Sequence, residues 1–475
     1  MKTIKKKNKM PTENSLALDE LTAITTTDGR YRRTTQVLAP YVSEYALIKT
    51  RFEIEALHLI GLSEEGVVRK LSASEKKRLT NFADEIDLES ARKVKNIEDS
   101  LRHDVKSMET AFRGFVKDTS LEDLTEMIHF GLTSEDINNL AYRLMLKRAT
   151  QQVCLPVMDK VVDELVDNAQ RYKNVPMLAR THGQAAVPTT VGKEFVVFAE
   201  RLNNQARGLE QYKLRGKFGG AVGNMNSLQF AKPDVNWIRY SREFVKSLGF
   251  EPNLATTQIN PYDDVVEYLQ YYQRANLIIL GLDQDMWRYI SDYWFAQEKR
   301  SGEVGSSTMP QKVNPIDFEN SEGNVQIANA LIEGMVRKLE VSRLQRDLSD
   351  STTIRNIGNV LAHSFIGYKS LLEGLSRVKL NPDKIAEDLN VDWSILSEAV
   401  QTYLRAQGYK DPYNLVATST RGHHMGQEEW QEWVDGLDID DYSKNLFSKL
   451  TPETYIGEAV RLTEITIEGI KRSKK

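Results

Sequence analysis

Gly305-Ser306-Ser307-Thr308-Met309-Pro310-Gln311-Lys312-Val313-Asn314-Pro315 is a stretch that apolar burial does not explain. Met309 and Val313 are its only sizeable apolar side chains, while Ser306, Ser307, Thr308, Lys312 and Asn314 offer hydroxyl, ammonium and amide donors. Polar loops carried on rigid scaffolds are a common seat of function. Donors of these kinds suit an anionic ligand, or a negative charge that develops during a reaction. A solvated turn would use the same residue types, so the stretch gains its meaning from its surroundings.

Those surroundings are helical. Tyr45, Ile48, Phe52, Ala56 and Leu59 recur at spacings of three and four, as do Leu282, Met286, Ile290 and Tyr293. Ile354, Ile357, Leu361, Phe365, Tyr368 and Leu372 form a third such series. Each series lays apolar groups along one side of a helix. Strand-like alternation is scarce, and 13 prolines leave long uninterrupted windows, so the expected fold is all-α with long helices. The expected parts are a basic tail over 1–17, an N-terminal helical domain over 18–120, a central long-helix bundle over 121–378 and a small helical domain over 379–475. The last boundary falls at Lys379-Leu380-Asn381-Pro382, because proline biases its predecessor away from helix.

Composition narrows the function class. A net charge of −4 argues against a general nucleic-acid binder, which carries a basic excess. The single cysteine, Cys154, rules out an intrachain disulfide framework and fits a reducing cytosol, so the expected location is cytoplasmic. No apolar run reaches the ~18 residues of a membrane span. Lys2, Lys5, Lys6, Lys7 and Lys9 are followed by no apolar core of a secretory signal, and the tail reads as solvated.

The loop resembles the signature loop of the fumarase/aspartase superfamily, whose members eliminate fumarate from a substituted succinate. The continuation Ile316-Asp317-Phe318-Glu319-Asn320-Ser321-Glu322-Gly323-Asn324 resembles the adenylosuccinate lyase family, in its bacterial branch. Asp28-Gly29-Arg30-Tyr31, His103-Asp104, Thr133 to Asn139, Arg180-Thr181-His182-Gly183-Gln184 and Arg346 to Ser351 look like motifs of that family, in its order. The resemblance runs from about Leu18 into the C-terminal region. It implies the three-part all-α plan, with the middle domain assembling across subunits into the twenty-helix core of a homotetramer. It also implies small-molecule substrates: adenylosuccinate, cleaved to AMP and fumarate, and succinylaminoimidazole carboxamide ribotide (SAICAR), cleaved to AICAR. Neither metal nor other cofactor is called for, and no nucleic-acid or membrane partner is expected. Two rivals remain. One is a sister lyase acting on argininosuccinate; the other is a non-catalytic scaffold, against which the joint retention of Ser306, Lys312, Asn314 and His182 argues.

Eliminating an amine from a succinyl group needs a base, fixed positive charge for the carbanion, and an acid for the departing nitrogen. A serine hydroxyl can be the base only if its surroundings activate it. The residues alone do not choose between Ser306 and Ser307; the resemblance picks Ser306. Histidine is suited to proton transfer near neutrality, and the resemblance makes His182 the general acid. Lys312 and Asn314, two apart, can face one ligand from an extended segment and are expected to hold a substrate carboxylate and its enolate-like intermediate. Thr133 with Asp136 is also a capping-box pattern, and a helix N-terminus is itself an anion site. The resemblance puts Thr133 and Ser134 at the substrate's carboxylate or phosphate end. Arginine forks bind such groups by two prongs, and the resemblance assigns Arg30, Arg346 and Arg355 to that task, with Tyr31, Ser351 and Gln258 beside them. His103, flanked by Arg102 and Asp104 in the same expected set, binds phosphate or supports His182. Gln311 is expected to tune the loop or one ligand contact. Gly219-Gly220-Ala221-Val222-Gly223-Asn224 lacks the spacing of a nucleotide loop and reads as a tight backbone approach. His423-His424 lacks the spacing of a metal site.

Overall fold

The computed structural model describes residues 17–299, 302, 308–309 and 311–474. The lysines of the basic tail, and Ser306 and Ser307, lie outside the described residues. Helices make up most of the described chain, and its six short strands pair as three two-stranded sheets. No described helix is long and apolar enough to cross a membrane. Two compact units are each woven from three separated segments: Met1–Val153 with Lys213–Val266 and Leu331–Ile366, and Cys154–Tyr212 with Glu267–Ala330 and Gly367–Lys475.

In the first unit, Ser43 caps the helix Glu44–Glu64 by accepting the Ala46 N–H at 3.2 Å. Ile48, Phe52, Ala56 and Leu59, the face read from the sequence, are all buried. They join a core with the helices Ala73–Glu85, Leu88–Leu101 and Asp104–Val116. The rings of Phe52, Phe82 and Phe112 meet there at centroid separations of 4.7–5.8 Å, and truncating one such ring costs about 3–5 kcal/mol.

The helix Ser134–Ala149 is buried on every side from Glu135 to Leu146. Burying polar groups requires that they be paired. Arg143 therefore makes a two-pronged contact with Asp264, at 2.6 and 2.9 Å, with both side chains essentially inaccessible. Asn139 likewise closes two 3.0 Å bonds with the backbone of Lys217. Arg143→Ala would strand the Asp264 carboxylate, and the expected loss is about 3–5 kcal/mol in denaturant unfolding. A loss below about 1 kcal/mol would mean that the Arg215 N–H, 2.7 Å from Asp264, suffices to hold that charge.

In the second unit the helices Leu155–Tyr172 and Val191–Gln211 are joined by an antiparallel hairpin, Pro176–Thr181 with Gln184–Thr190. Gly192 lets these helices touch, since a Cβ there would come within 2.4 Å of the Ala169 carbonyl oxygen. A buried polar relay ties three further helices together: Tyr368 donates to Asn276 at 2.8 Å, and Asn276 to Asn329 at 3.0 Å. Burial pushes the Cys154 thiol up to about 12, which leaves it unreactive at neutral pH.

Two expectations change in detail. The helix Asp263–Ser291 ends before Tyr293, which is left-handed (φ 62°) and 73% exposed. The chain turns there, and Trp294 is the residue buried, stacked on Tyr289 at 5.5 Å. Ile354 and Ile357 also belong to two helices, Ser349–Ile354 and Ile357–Leu375, although both are buried. At the proline break, Asn381 caps the helix Pro382–Leu389, accepting the Lys384 N–H at 3.4 Å.

Candidate active site

The first unit gathers most of the anion-binding candidates around two helix starts. Thr133 is extended and precedes the helix Ser134–Ala149; its N–H donates to the Asp136 carboxylate at 2.9 Å, one arm of the capping box read from the sequence. Asp136 also accepts the N–H groups of Gly219 (2.8 Å) and Gly220 (3.0 Å) and lies 3.0 Å from Lys217 Nζ. The glycine-rich turn is thus a close backbone approach whose target is a carboxylate of the protein itself. Gly220, at φ 77°, supplies a conformation that a side chain would resist. With Asp136 so occupied, the half-buried Thr133 and Ser134 remain at the mouth of the helix dipole.

Arg346 stands near this start, its Nη2 3.4 Å from Glu135 and its Nη1 3.5 Å from Gln258 Oε1. Ser351 sits in the first turn of Ser349–Ile354, and Arg355 follows that helix.

The second helix start is Asp104–Val116. His103 caps it through Nδ1, which accepts the Lys106 N–H at 3.2 Å. That acceptor role places the ring proton on Nε2, on an imidazole whose side chain is 53% exposed. Arg102, before it, is left-handed (φ 54°) and exposed, so helix Leu88–Leu101 ends where the next begins. Asp104 bridges two arginines: the buried Arg51 at 2.6 Å and Arg355 at 2.9 Å. Burial by itself would raise the Asp104 carboxyl, but Arg51, then the Val105 N–H and Arg355, hold it down to about 2. Arg355 also reaches Glu44 at 3.1 Å and borders a cleft of about 230 Å³. Asp28 and Arg32, paired at 3.0 Å, line that cleft, rather than their neighbours Arg30 (exposed) and Tyr31 (half-buried).

In the second unit, His182 and Gly183 are the two residues of the hairpin connection, at φ 55° and 73°. Two left-handed residues in a two-residue connection match the twist of paired strands. The stem is braced by Arg180, which lies 4.3 Å over the Trp294 ring and 3.4 Å from Asp292. His182 is therefore an exposed imidazole on a stiff support. Lys312 and Asn314 lie in the irregular segment entering the helix Ile316–Leu339; Lys312 and Gln311 are exposed and Asn314 half-buried.

Sequence reasoning missed the partners of these groups: Arg51, Glu44, Glu135 and Asp350. Glu135 and Asp350 stood inside quoted motifs; the signal for Glu135 was the consecutive acids Glu135-Asp136 at the start of a helix that has no exposed face, and Asp350 had no such signal. His129 was also passed over. It is left-handed (φ 62°), four residues before Thr133, and its Nδ1 is 2.5 Å from Glu55. Burial opposes its protonation, but Glu55 raises its proton affinity overall. His424 pairs with Asp392 at 2.7 Å, and no group of potential metal ligands occurs among the described residues.

Comparison with known proteins gives the arrangement its context. A family model described as lyase matches residues 17–328, and one described as adenylosuccinate lyase C-terminal matches residues 342–456. The chain is 44% identical over 467 residues to an adenylosuccinate lyase of Dictyostelium discoideum, covering 94% of this chain and 99% of that one. It is 40% identical over 454 residues to that of Escherichia coli K12, with the same coverage. Among solved structures, a fumarate lyase from Mesorhizobium shares the fold with a TM-score of 0.73 at 17% identity, covering 92% of this chain and 98% of that one. A 3-carboxy-cis,cis-muconate lactonizing enzyme from Pseudomonas putida gives 0.71 at 15%, covering 93% and 98%.

Proposed function

The chain belongs to the adenylosuccinate lyase family, and on that premise we propose how its residues divide the work of the reaction. It is a carbon–nitrogen lyase that releases fumarate from adenylosuccinate and leaves AMP. SAICAR, whose succinyl group hangs on nitrogen in the same way, is the second substrate in the same biosynthesis of purine nucleotides.

Ser306 removes the proton from the carbon beside a succinyl carboxylate. The electron pair expels the nitrogen as the C–N bond breaks, and His182 protonates that nitrogen. Lys312 and Asn314 hold the carboxylate on which charge accumulates. Thr133 and Ser134, at a helix N-terminus, meet an anionic end of the substrate, with Gln258 beside them. Arg30, Tyr31, Arg346, Ser351 and Arg355 receive the phosphate, with Arg102 and His103 at its margin and Asp104 aiming Arg355. The observation that carries this reading is that Arg346 is held by Glu135 at 3.4 Å, and Arg355 by Asp104 at 2.9 Å and Glu44 at 3.1 Å, near helix starts. Arginines so anchored are preorganised for an anion.

The enzyme works as a homotetramer in the cytoplasm, with sites drawn from three chains. In support, Val197, Leu277, Trp287 and Ile327 are exposed apolar side chains on long helices of the second unit, the kind of surface that marks an interface. The test of the activity is direct. Purified protein mixed with adenylosuccinate should yield fumarate and AMP, equally well with EDTA present. Fumarate from argininosuccinate or malate alone would overturn the substrate assignment.

A further inference from the structure

A buried carboxylate in the first unit leans on a guanidinium, and a second buried acid acts on it through its charge. Glu135 follows Ser134, its side chain is 2% exposed, and its Oε2 lies 3.4 Å from Arg346 Nη2. Its Oε1 has no hydrogen-bond partner among the described residues. Asp350, equally buried, accepts from the Tyr262 hydroxyl at 3.2 Å through Oδ2, and its Oδ1 is also without a partner among the described residues. The other cations facing Glu135 are committed elsewhere: Arg143 to Asp264, and Lys217 to Asp136 and the Gly220 carbonyl. Arg346 is thus the cation left to balance Glu135, and its Nε likewise lacks a partner among the described residues.

We propose that Glu135 is a positioning residue that sets the availability of Arg346 to the substrate: as a carboxylate it retains the guanidinium, and as the acid it yields it, so that binding of the anion takes up a proton at Glu135. The inference rests on the reading that Arg346 meets the substrate phosphate. An anion arriving at Arg346 adds negative charge beside two acids in a site of low polarity. The least costly response is to protonate the acid nearest to neutrality. Burial, which outweighs the opposing pull of Arg346 and is reinforced by Asp350, raises Glu135 to about 7. The sign follows. The bound anion raises the proton affinity of Glu135 further, so affinity is highest below about pH 7 and declines as pH rises through and above it. One proton per site limits the decline to ~10-fold per pH unit.

The test is titration of the full-length protein with AMP, by calorimetry at several pH values between 6.5 and 8.5, in two buffers of different ionisation enthalpy. The wild type should take up protons beyond those accounted for by AMP's own phosphate. In Glu135→Gln that excess should vanish, the Kd should change less with pH, and binding at pH 8.5 should be tighter than wild type. Arg346→Ala should weaken AMP binding and remove the difference between Glu and Gln at 135. No excess uptake in the wild type overturns the proposal without need of a variant, as does an unchanged pH profile in a folded Glu135→Gln. If Arg346→Ala binds AMP normally, the phosphate reading of Arg346 fails instead. A merely structural Glu135 would lower Tm while leaving proton uptake untouched.

Discussion

Ser306→Ala and His182→Ala are each expected to lower turnover by about 10²–10⁴-fold, the usual contribution of a positioned proton-transfer group. The two losses have different origins. In the proposed division of work Ser306 supplies the atom that takes the proton from carbon, and alanine would leave nothing in its place. If His182 supplies the proton for the departing nitrogen, as proposed, its loss should be mildest for a substrate whose leaving nitrogen needs protonation least. Folding should survive in His182→Ala, because the imidazole is exposed at a hairpin tip and packs no core. The left-handed backbone there (φ 55°) adds a complication, since histidine is enriched in that conformation and alanine is not. His182→Asn separates the two effects: asparagine tolerates the left-handed region but cannot donate an imidazole proton. Both variants should lose the same activity, measured as fumarate release under saturating substrate. An active Asn variant beside an inactive Ala variant would make turn geometry, and not proton donation, the role of His182. Near-normal turnover in Ser306→Ala would pass the base to Ser307.

How much of this was visible in the sequence depends on the range of each interaction. The face of Ile48, Phe52, Ala56 and Leu59 was legible because a buried helix face repeats locally, every three or four residues. The same rule failed at Tyr293, where spacing continued but the helix had ended. Nothing in a periodic count registers a chain reversal that buries Trp294 instead. The arginines proposed to bind anions stood out as motif positions, whereas what holds them did not. Asp104 joins Arg51, 53 residues away, to Arg355, 251 residues away, and a pairing over such separations leaves no local trace. The capping box at Thr133 was readable in four residues. The capture of its Asp136 by Gly219 and Gly220, 83 and 84 residues on, was not. His182 lies between these cases, because a histidine–glycine pair between two extended runs is a hairpin signal that the motif reading overshadowed. Weaving of each compact unit from three segments also escapes composition, since no linker or charge shift marks the crossings at 153, 212, 266, 330 and 366.

Mixing two dead enzymes is expected to restore activity. The His182 hairpin and the segments around Ser306, His103 and Thr133 are far apart in sequence, and a single up-and-down bundle is poor at bringing all of them to one place. Packing bundles of several subunits together solves that problem, and His182, exposed on a braced stem, is suited to reach a neighbouring chain. The consequence can be counted. Every chain of a His182→Ala and Ser306→Ala mixture carries one lesion. If both residues of a site came from one chain, no site could ever be intact, whatever the mixing. If they come from different chains, each is wild type with a chance of one half, and roughly a quarter of sites hold both in a randomly reassembled symmetric oligomer. Equal amounts of the two variants, dissociated and reassembled, should therefore recover up to roughly a quarter of wild-type fumarate release, against a background lower by orders of magnitude. The recovery should appear only after subunit exchange, followed by mass in mixtures of tagged and untagged chains. Exchange verified in this way with no recovered activity would refute a site shared between chains, and a monomeric mass for the wild type in solution would refute it sooner.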